Sequence, residues 1–212
     1  MQWTLVIPLK PLARAKSRLA DTAGAGVRPG LALAFAQDTV AAAVACAEVR
    51  DVAVVTDDER AGRELAALGA RIVPDTPESG LNAALGHGSA VVRSLRPRAP
   101  VAALNADLPA LRAGELARVL VAAAEFPRAF LADAAGVGTT LLAAGAGIPL
   151  RPLFGPGSRA RHRDSGAVEL GLTGVDSVRQ DVDTGADLRA ALALGVGPHT
   201  AAASTGLLTP GS

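Results

Sequence analysis

Short apolar runs of strand length alternate with Ala/Leu-rich stretches of helical length, and that alternation restricts the fold more than any single residue does. The strand candidates are Trp3 to Pro8, Asp51 to Thr56, Arg71 to Val73, Val101 to Leu104, Ala129 to Ala132 and Thr139 to Ala143. Helical stretches separate most of them. Leu31 to Val49 is the first, and Thr56 with Glu59 has capping-box spacing ahead of a second that Gly69 closes. From Leu81 apolar residues recur at Ala84, Leu85, Val91, Val92 and Leu95, one face of a third, and Gly114 to Glu125 is a fourth. Thr184 and Asp187 are another capping pair, before a last helix over Leu188 to Leu194. Parallel strands need a crossover between them, so this order predicts an α/β domain with a largely parallel sheet. The 212 residues fit one domain over positions 1–196, followed by a loose Gly/Ala/Ser/Thr/Pro-rich tail over 197–212.

Composition removes several classes of function. Lys and Arg number 21 against 20 Asp and Glu, so the net charge of +1 provides no general field for nucleic acid or an anionic membrane. There is no Tyr, with four Phe and one Trp, which disfavours stacking on bases. Cys46 is the single cysteine: it excludes an internal disulfide and a Cys-rich zinc site, and belongs to a helical apolar face in the core. The N-terminus has no basic lead-in to a long apolar stretch, and Gln37 and Asp38 interrupt the most hydrophobic region. A cytoplasmic protein without membrane or nucleic-acid partners is the expectation.

Four segments carry the candidate chemistry. Lys10, Arg14, Lys16 and Arg18 follow the first strand directly, where open α/β sheets bind ligands, and they include both lysines of the chain. They suit a polyphosphate cradle as well as a solvated basic loop. Neither a Walker loop nor a dinucleotide fingerprint accompanies them: Gly145 and Gly147 give GxG, but Leu150 stands in the third glycine position. Asp107, in NADLP after the buried strand VAAL, is placed to hold a hard divalent cation beside phosphate oxygens, or to cap a turn. Asp181 and Asp183 in QDVDT lie on one side of an extended segment, as a metal-binding pair or a surface turn. In FGPGSRARHRDSGA, Gly155, Gly157 and Ser158 offer backbone amides to an anion, and Arg159, Arg161 and Arg163 offer fork donors. An ordinary basic loop is the alternative, and His162 is an orienting or surface histidine rather than a nucleophile.

These segments together resemble the 2-phospholactate/phosphoenolpyruvate guanylyltransferases of deazaflavin coenzyme F-420 biosynthesis, and most closely the actinobacterial phosphoenolpyruvate type. The resemblance runs from about Leu5 to Val196. It rests on VIPLKPLARAKSRL, SGLNAAL, ADLPAL, GVGTTLL, FGPGSRARHRDSGAVEL and DVDTGADL. It implies a single Rossmann-like three-layer domain of the nucleotide-diphospho-sugar-transferase type, with a mixed, mostly parallel sheet. It implies transfer of GMP from GTP to phosphoenolpyruvate with Mg2+ as cofactor. Lys10, Lys16 and Arg18 would grip nucleotide phosphates, and Lys16 and Arg18 with Asp107 would act in catalysis. Asn82 would lie on the guanine side, and Thr139, Gly155 and Ser158 would contact phosphoenolpyruvate. Asp107, Asp181 and Asp183 would hold the metal. The sequence departs from the family pattern at Asn105-Ala106, where a glycine is common, and at Gly157, where an acidic residue can stand. The resemblance leaves room for a homodimer and for hand-over of a labile product to the next enzyme. 2-Phospholactate or 3-phosphoglycerate as acceptor stays open, as does a non-catalytic nucleotide-binding module. A molybdopterin or sugar-phosphate nucleotidyltransferase would carry a Gly-rich first loop that this chain lacks.

Overall fold

The computed structural model describes residues 2–14, 28–76 and 79–205. Seven strands are described: β1 (Trp3–Pro8), β2 (Val49–Val55), β3 (Arg71–Val73), β4 (Val101–Leu104), β5 (Arg128–Ala132), β6 (Thr139–Ala144) and β7 (Val168–Glu169). They form one sheet in the order β3-β2-β1-β4-β6-β5-β7. β1 pairs parallel with β2 and with β4, β2 with β3, and β5 with β7. Only β6 runs the other way among the described strands. Residues 133–138 between β5 and β6 are too few for a crossover, so the chain turns straight back as a hairpin.

Helices cover both faces: α1 (Arg28–Val44), α2 (Glu59–Ala67), α3 (Leu81–Leu95), α4 (Ala113–Ala123), and the shorter α5 (Ser158–Asp164), α6 (Asp176–Arg179), α7 (Gly185–Leu194) and α8 (Pro198–Ser204). The strands are apolar on both sides because both sides are covered. Trp3, Leu5 and Ile7 of β1 join one buried cluster with Val52 and Val54, while Val6 joins the opposite cluster with Ala53 and Val55. β4 and β6 alternate likewise: Ala102, Leu104, Leu141 and Ala143 point one way, Val101, Ala103, Leu142 and Ala144 the other. That is the three-layer arrangement expected. α3 lies very close to the sheet, since a Cβ on Gly88 would come within 2.7 Å of Val6 and 2.6 Å of Val55.

Three local expectations are corrected. The first helix ends at Val44 and the strand begins at Val49, with Cys46 buried in the intervening turn rather than on the helix. The N-cap of α2 is Asp58, whose carboxylate accepts from the Ala61 amide at 3.0 Å. Thr56 instead accepts from the Asp58 amide. The segment expected to be loose from residue 197 contains α8. Its N-terminal amides at His199 and Thr200 donate to the Asp38 carboxylate at 3.1 and 2.8 Å, an anion at the positive end of a helix. Asp38 is itself buried in α1, so this cap anchors the segment to the body of the domain.

Candidate active site

Ligands of open α/β sheets bind beyond the carboxyl ends of the parallel strands, and the chain builds a cleft of about 640 Å³ there. β1 delivers Lys10 to it and β4 delivers Asn105 and Asp107. Because β6 is reversed, its first residue, Thr139, pairs with the last residue of β5 and arrives at the same rim. The C-terminal segment closes the ring. Val182 donates its amide to the Asp107 carbonyl at 3.1 Å, and the Asn105 amide approaches the Asp181 carboxylate at 3.5 Å. Val182 is fully buried while Asp181 and Asp183 line the cleft, which is the alternation an extended D-x-D segment produces. The start of α7 sets that segment through the expected capping box, in which Asp187 also accepts the amides of Asp183 and Thr184.

The opposite wall is the loop before α5. Gly155 and Gly157 adopt φ of +116° and +70°, a left-handed bend that side-chain-bearing residues rarely take. The Asn82 side chain fixes where the bend starts: its oxygen accepts the Phe154 amide at 2.7 Å and its nitrogen donates to the Phe154 carbonyl at 3.1 Å. Ser158 then opens α5, buried and facing the cleft beside Thr139. Asp133 braces the adjoining turn by accepting the amides of Val137 and Gly138 at 2.9 and 2.7 Å. Asp58 holds the other side, capping α2 while taking the Leu12 amide at 2.9 Å just after Lys10. Burial raises the Asp58 carboxyl, but the Ala61, Leu12 and Arg60 amides and the Arg60 charge outweigh it, so the group sits below the usual carboxylate range.

Charge decides what such a cleft can hold. Among the described residues lining it, Lys10 is the only cationic side chain, facing carboxylates at 107, 133, 181 and 183. A phosphorylated ligand entering there needs counter-charge, and hard carboxylate oxygens suit Mg2+ or Mn2+. Among the described residues, no group of three or more Asp, Glu, His or Cys side chains is gathered closely enough to hold a metal ion by itself.

The guanylyl transferase CofC-like family model matches residues 3–201. The chain belongs to that family. A phosphoenolpyruvate guanylyltransferase of Streptomyces avermitilis is 79% identical over 211 residues, covering 100% of this chain and 98% of that protein. Among solved structures, a nucleotidyl transferase from Methanothermobacter has a TM-score of 0.62 at 22% identity, over 91% of this chain and 97% of the other. A Mycobacterium tuberculosis protein, solved as a complex with manganese, has a TM-score of 0.56 at 22% identity, over 91% and 99%. Both share the fold.

Seven of the residues singled out by the family motifs line one cleft: Lys10, Asp107, Thr139, Gly155, Ser158, Asp181 and Asp183. Lys16 and Arg18 lie outside the described residues. Asn82 is exposed, and its amide uses one donor and one acceptor on Phe154, so it shapes the loop directly. The arginines of α5 are not cleft donors. Arg159 bonds Glu169 and the Gly136 carbonyl, Arg161 bonds the Leu153 carbonyl, and Arg163 stands 4.0 Å from Glu169. Sequence reasoning missed Asn105 and the loop-bracing Asp133. The glycine five residues after Asp133 was the available signal, because a Cβ there would lie 2.3 Å from the carboxylate.

Proposed function

We propose that the chain transfers GMP from GTP to phosphoenolpyruvate, giving enolpyruvoyl-2-diphospho-5′-guanosine and pyrophosphate. The observation that carries this is the meeting of Asp107, Asp181 and Asp183 with the hydroxyl- and amide-lined pocket of Thr139, Gly155 and Ser158 in one cleft. The name of the 79% identical relative supports the same acceptor. A phosphate oxygen of phosphoenolpyruvate forms a bond to the α-phosphorus of GTP as the bond to the β-phosphate oxygen breaks. The nucleophile is already ionised, so no general base is required. Both reactants are anions, and catalysis is chiefly positioning and charge neutralisation.

Mg2+ takes one or two carboxylates and completes its shell with phosphate oxygens and water. Asp107, Asp181 and Asp183 are the carboxylates this cleft offers it, and when bound it would neutralise the phosphate oxygens. Lys10 faces the same space, and the first-loop motif assigns Lys16 and Arg18 to the departing pyrophosphate. Thr139 and Ser158 orient the acceptor, Asn82 sets the loop that presents Ser158, and the family motif assigns Asn82 to the guanine side. The reading includes a cytoplasmic setting and a step of coenzyme F-420 biosynthesis. No helix among the described residues is long and apolar enough to cross a membrane.

The test is pyrophosphate release from GTP with Mg2+ in the presence and absence of phosphoenolpyruvate, followed by mass analysis of the product. Release that depends on phosphoenolpyruvate, with GTP preferred over ATP in kcat/KM, is expected. Equal rates with both nucleotides, or a product formed only from 2-phospholactate or 3-phosphoglycerate, would overturn the assignment.

A further inference from the structure

His162 is fully buried, four residues beyond Ser158 on α5, with its ring between Phe130 and Phe154 at centroid distances of 5.8 and 5.0 Å. Both ring nitrogens are engaged. Nε2 lies 2.9 Å from the Leu153 amide nitrogen, and Nδ1 lies 2.9 Å from the Thr139 hydroxyl oxygen. A backbone amide can only donate, so Nε2 is the acceptor and carries no proton. The single proton of the neutral ring is therefore on Nδ1. It is donated to Thr139 Oγ1, which leaves the hydroxyl's own hydrogen for a second partner. Thr139 lines the cleft.

We propose that His162 is a positioning residue, whose Nδ1–H holds the Thr139 hydroxyl as a one-way donor toward an anionic oxygen of the acceptor. Through Nε2 the same ring fixes the Leu153 amide, immediately before the Phe154 that Asn82 grips. One imidazole thus sets both walls of the acceptor pocket. The proposal rests on the reading that Thr139 contacts the acceptor. The surroundings keep the ring uncharged at neutral pH: burial, then the guanidinium of Arg128 on β5 and that of Arg161 on α5, lower its pKa to about 4. A charged ring would face the Leu153 amide with a second proton and lose that bond.

Nitrogen-15 NMR of the full chain, labelled at histidine, reads the tautomer directly at pH 7. A protonated Nδ1 with a bare Nε2 is expected; the reverse tautomer or a doubly protonated ring would overturn the proposal without any variant having to fold. Steady-state kinetics give the functional arm. In His162→Gln the amide oxygen can still accept from Leu153 but donation to Thr139 is lost. KM for phosphoenolpyruvate should rise about 10-fold while KM for GTP stays level. His162→Asn places a donor near the Nδ1 position and should recover most of that loss. If Thr139→Val raises KM for phosphoenolpyruvate and His162→Gln does not, the positioning role is wrong and the acceptor pocket stands. If Thr139→Val itself leaves that KM unchanged, the acceptor reading of Thr139 fails, and the proposal with it.

Discussion

Asp107 contributes to the molecule in two separable ways. Its backbone carbonyl accepts the Val182 amide, and its carboxylate lines the cleft. Asp107→Asn keeps the first and changes the second. Turnover with GTP and Mg2+ should fall at least about 100-fold while the chain still folds cooperatively, as a thermal melt would show. Near-normal turnover would remove Asp107 from the metal-binding set. Ser158→Ala tests the other wall. A hydrogen bond to a charged group contributes about 1.5–3 kcal/mol, so the acceptor should bind ~10–150-fold more weakly. KM for GTP should stay constant, and a variant that shifts only KM for GTP would mean that the two substrates are assigned to the wrong walls. Both residues were legible in the sequence because each follows a strong local signal, a buried strand for Asp107 and a pair of glycines for Ser158. His162 was half legible. Nothing in RARHRD announces that its ring reaches back to Thr139, 23 positions earlier in the chain.

At the scale of elements, α3 sets the tolerance of the sheet beneath it. Gly88 faces Val6 and Val55, both buried and β-branched, with no flexible chain end to yield. Gly86, on the same helix, has open space where its Cβ would be. Replacing glycine by alanine in a helix favours folding by roughly 0.5–1 kcal/mol, whereas overpacking a core costs about 1–3 kcal/mol. Gly86→Ala should therefore raise the melting temperature by a few degrees and Gly88→Ala lower it, as calorimetry on the two variants would show. Opposite signs are the point; the same sign in both would refute the close approach. Six of the seven described strands were readable to within two residues because short apolar runs between polar turns leave little choice; the two-residue β7 was not. Boundaries that depend on tertiary partners were not. Asp58 displaces Thr56 as a cap because the Leu12 amide also converges on it, and α8 exists because Asp38, 161 positions earlier, meets its first amides.

For the whole molecule, acid stability should carry the mark of one ring. Histidine in an unfolded chain takes up a proton near pH 6.5, but the fold resists protonating His162 until about pH 4. Between those values the unfolded state binds more protons, so stability is complete above pH 6.5 and declines as the pH falls toward 4. The loss is at most about 3 kcal/mol, on the order of 10 °C in melting temperature for a domain of this size. Asp58 acts in a lower window. Its carboxyl is held down, so its contribution is present above the ordinary carboxylate pKa and fades only below it. Thermal melts from pH 7 to pH 4.5 should slope in the wild type and flatten in His162→Gln. Parallel slopes would assign the effect to other groups. The sheet order and the reversed β6 also belong to this scale. Alternating strands and helices pointed to a largely parallel sheet and the family resemblance to a mixed one; the reversal of β6 comes with the six-residue span after β5 and its antiparallel pairing with both β4 and β5.

The seam between the DLP turn and the DVDT segment bears on how the protein is made. Asn105 and Asp181 stand 76 positions apart in the chain, yet their side chains meet at the rim of one cleft. A polypeptide leaving the ribosome presents its N-terminal strands first, and domains fold as units during that emergence. Asp107 is thus in the world long before the two carboxylates that complete its surroundings. Through most of its synthesis the nascent chain lacks these two carboxylates, and only α7 and α8 among the described elements emerge after them.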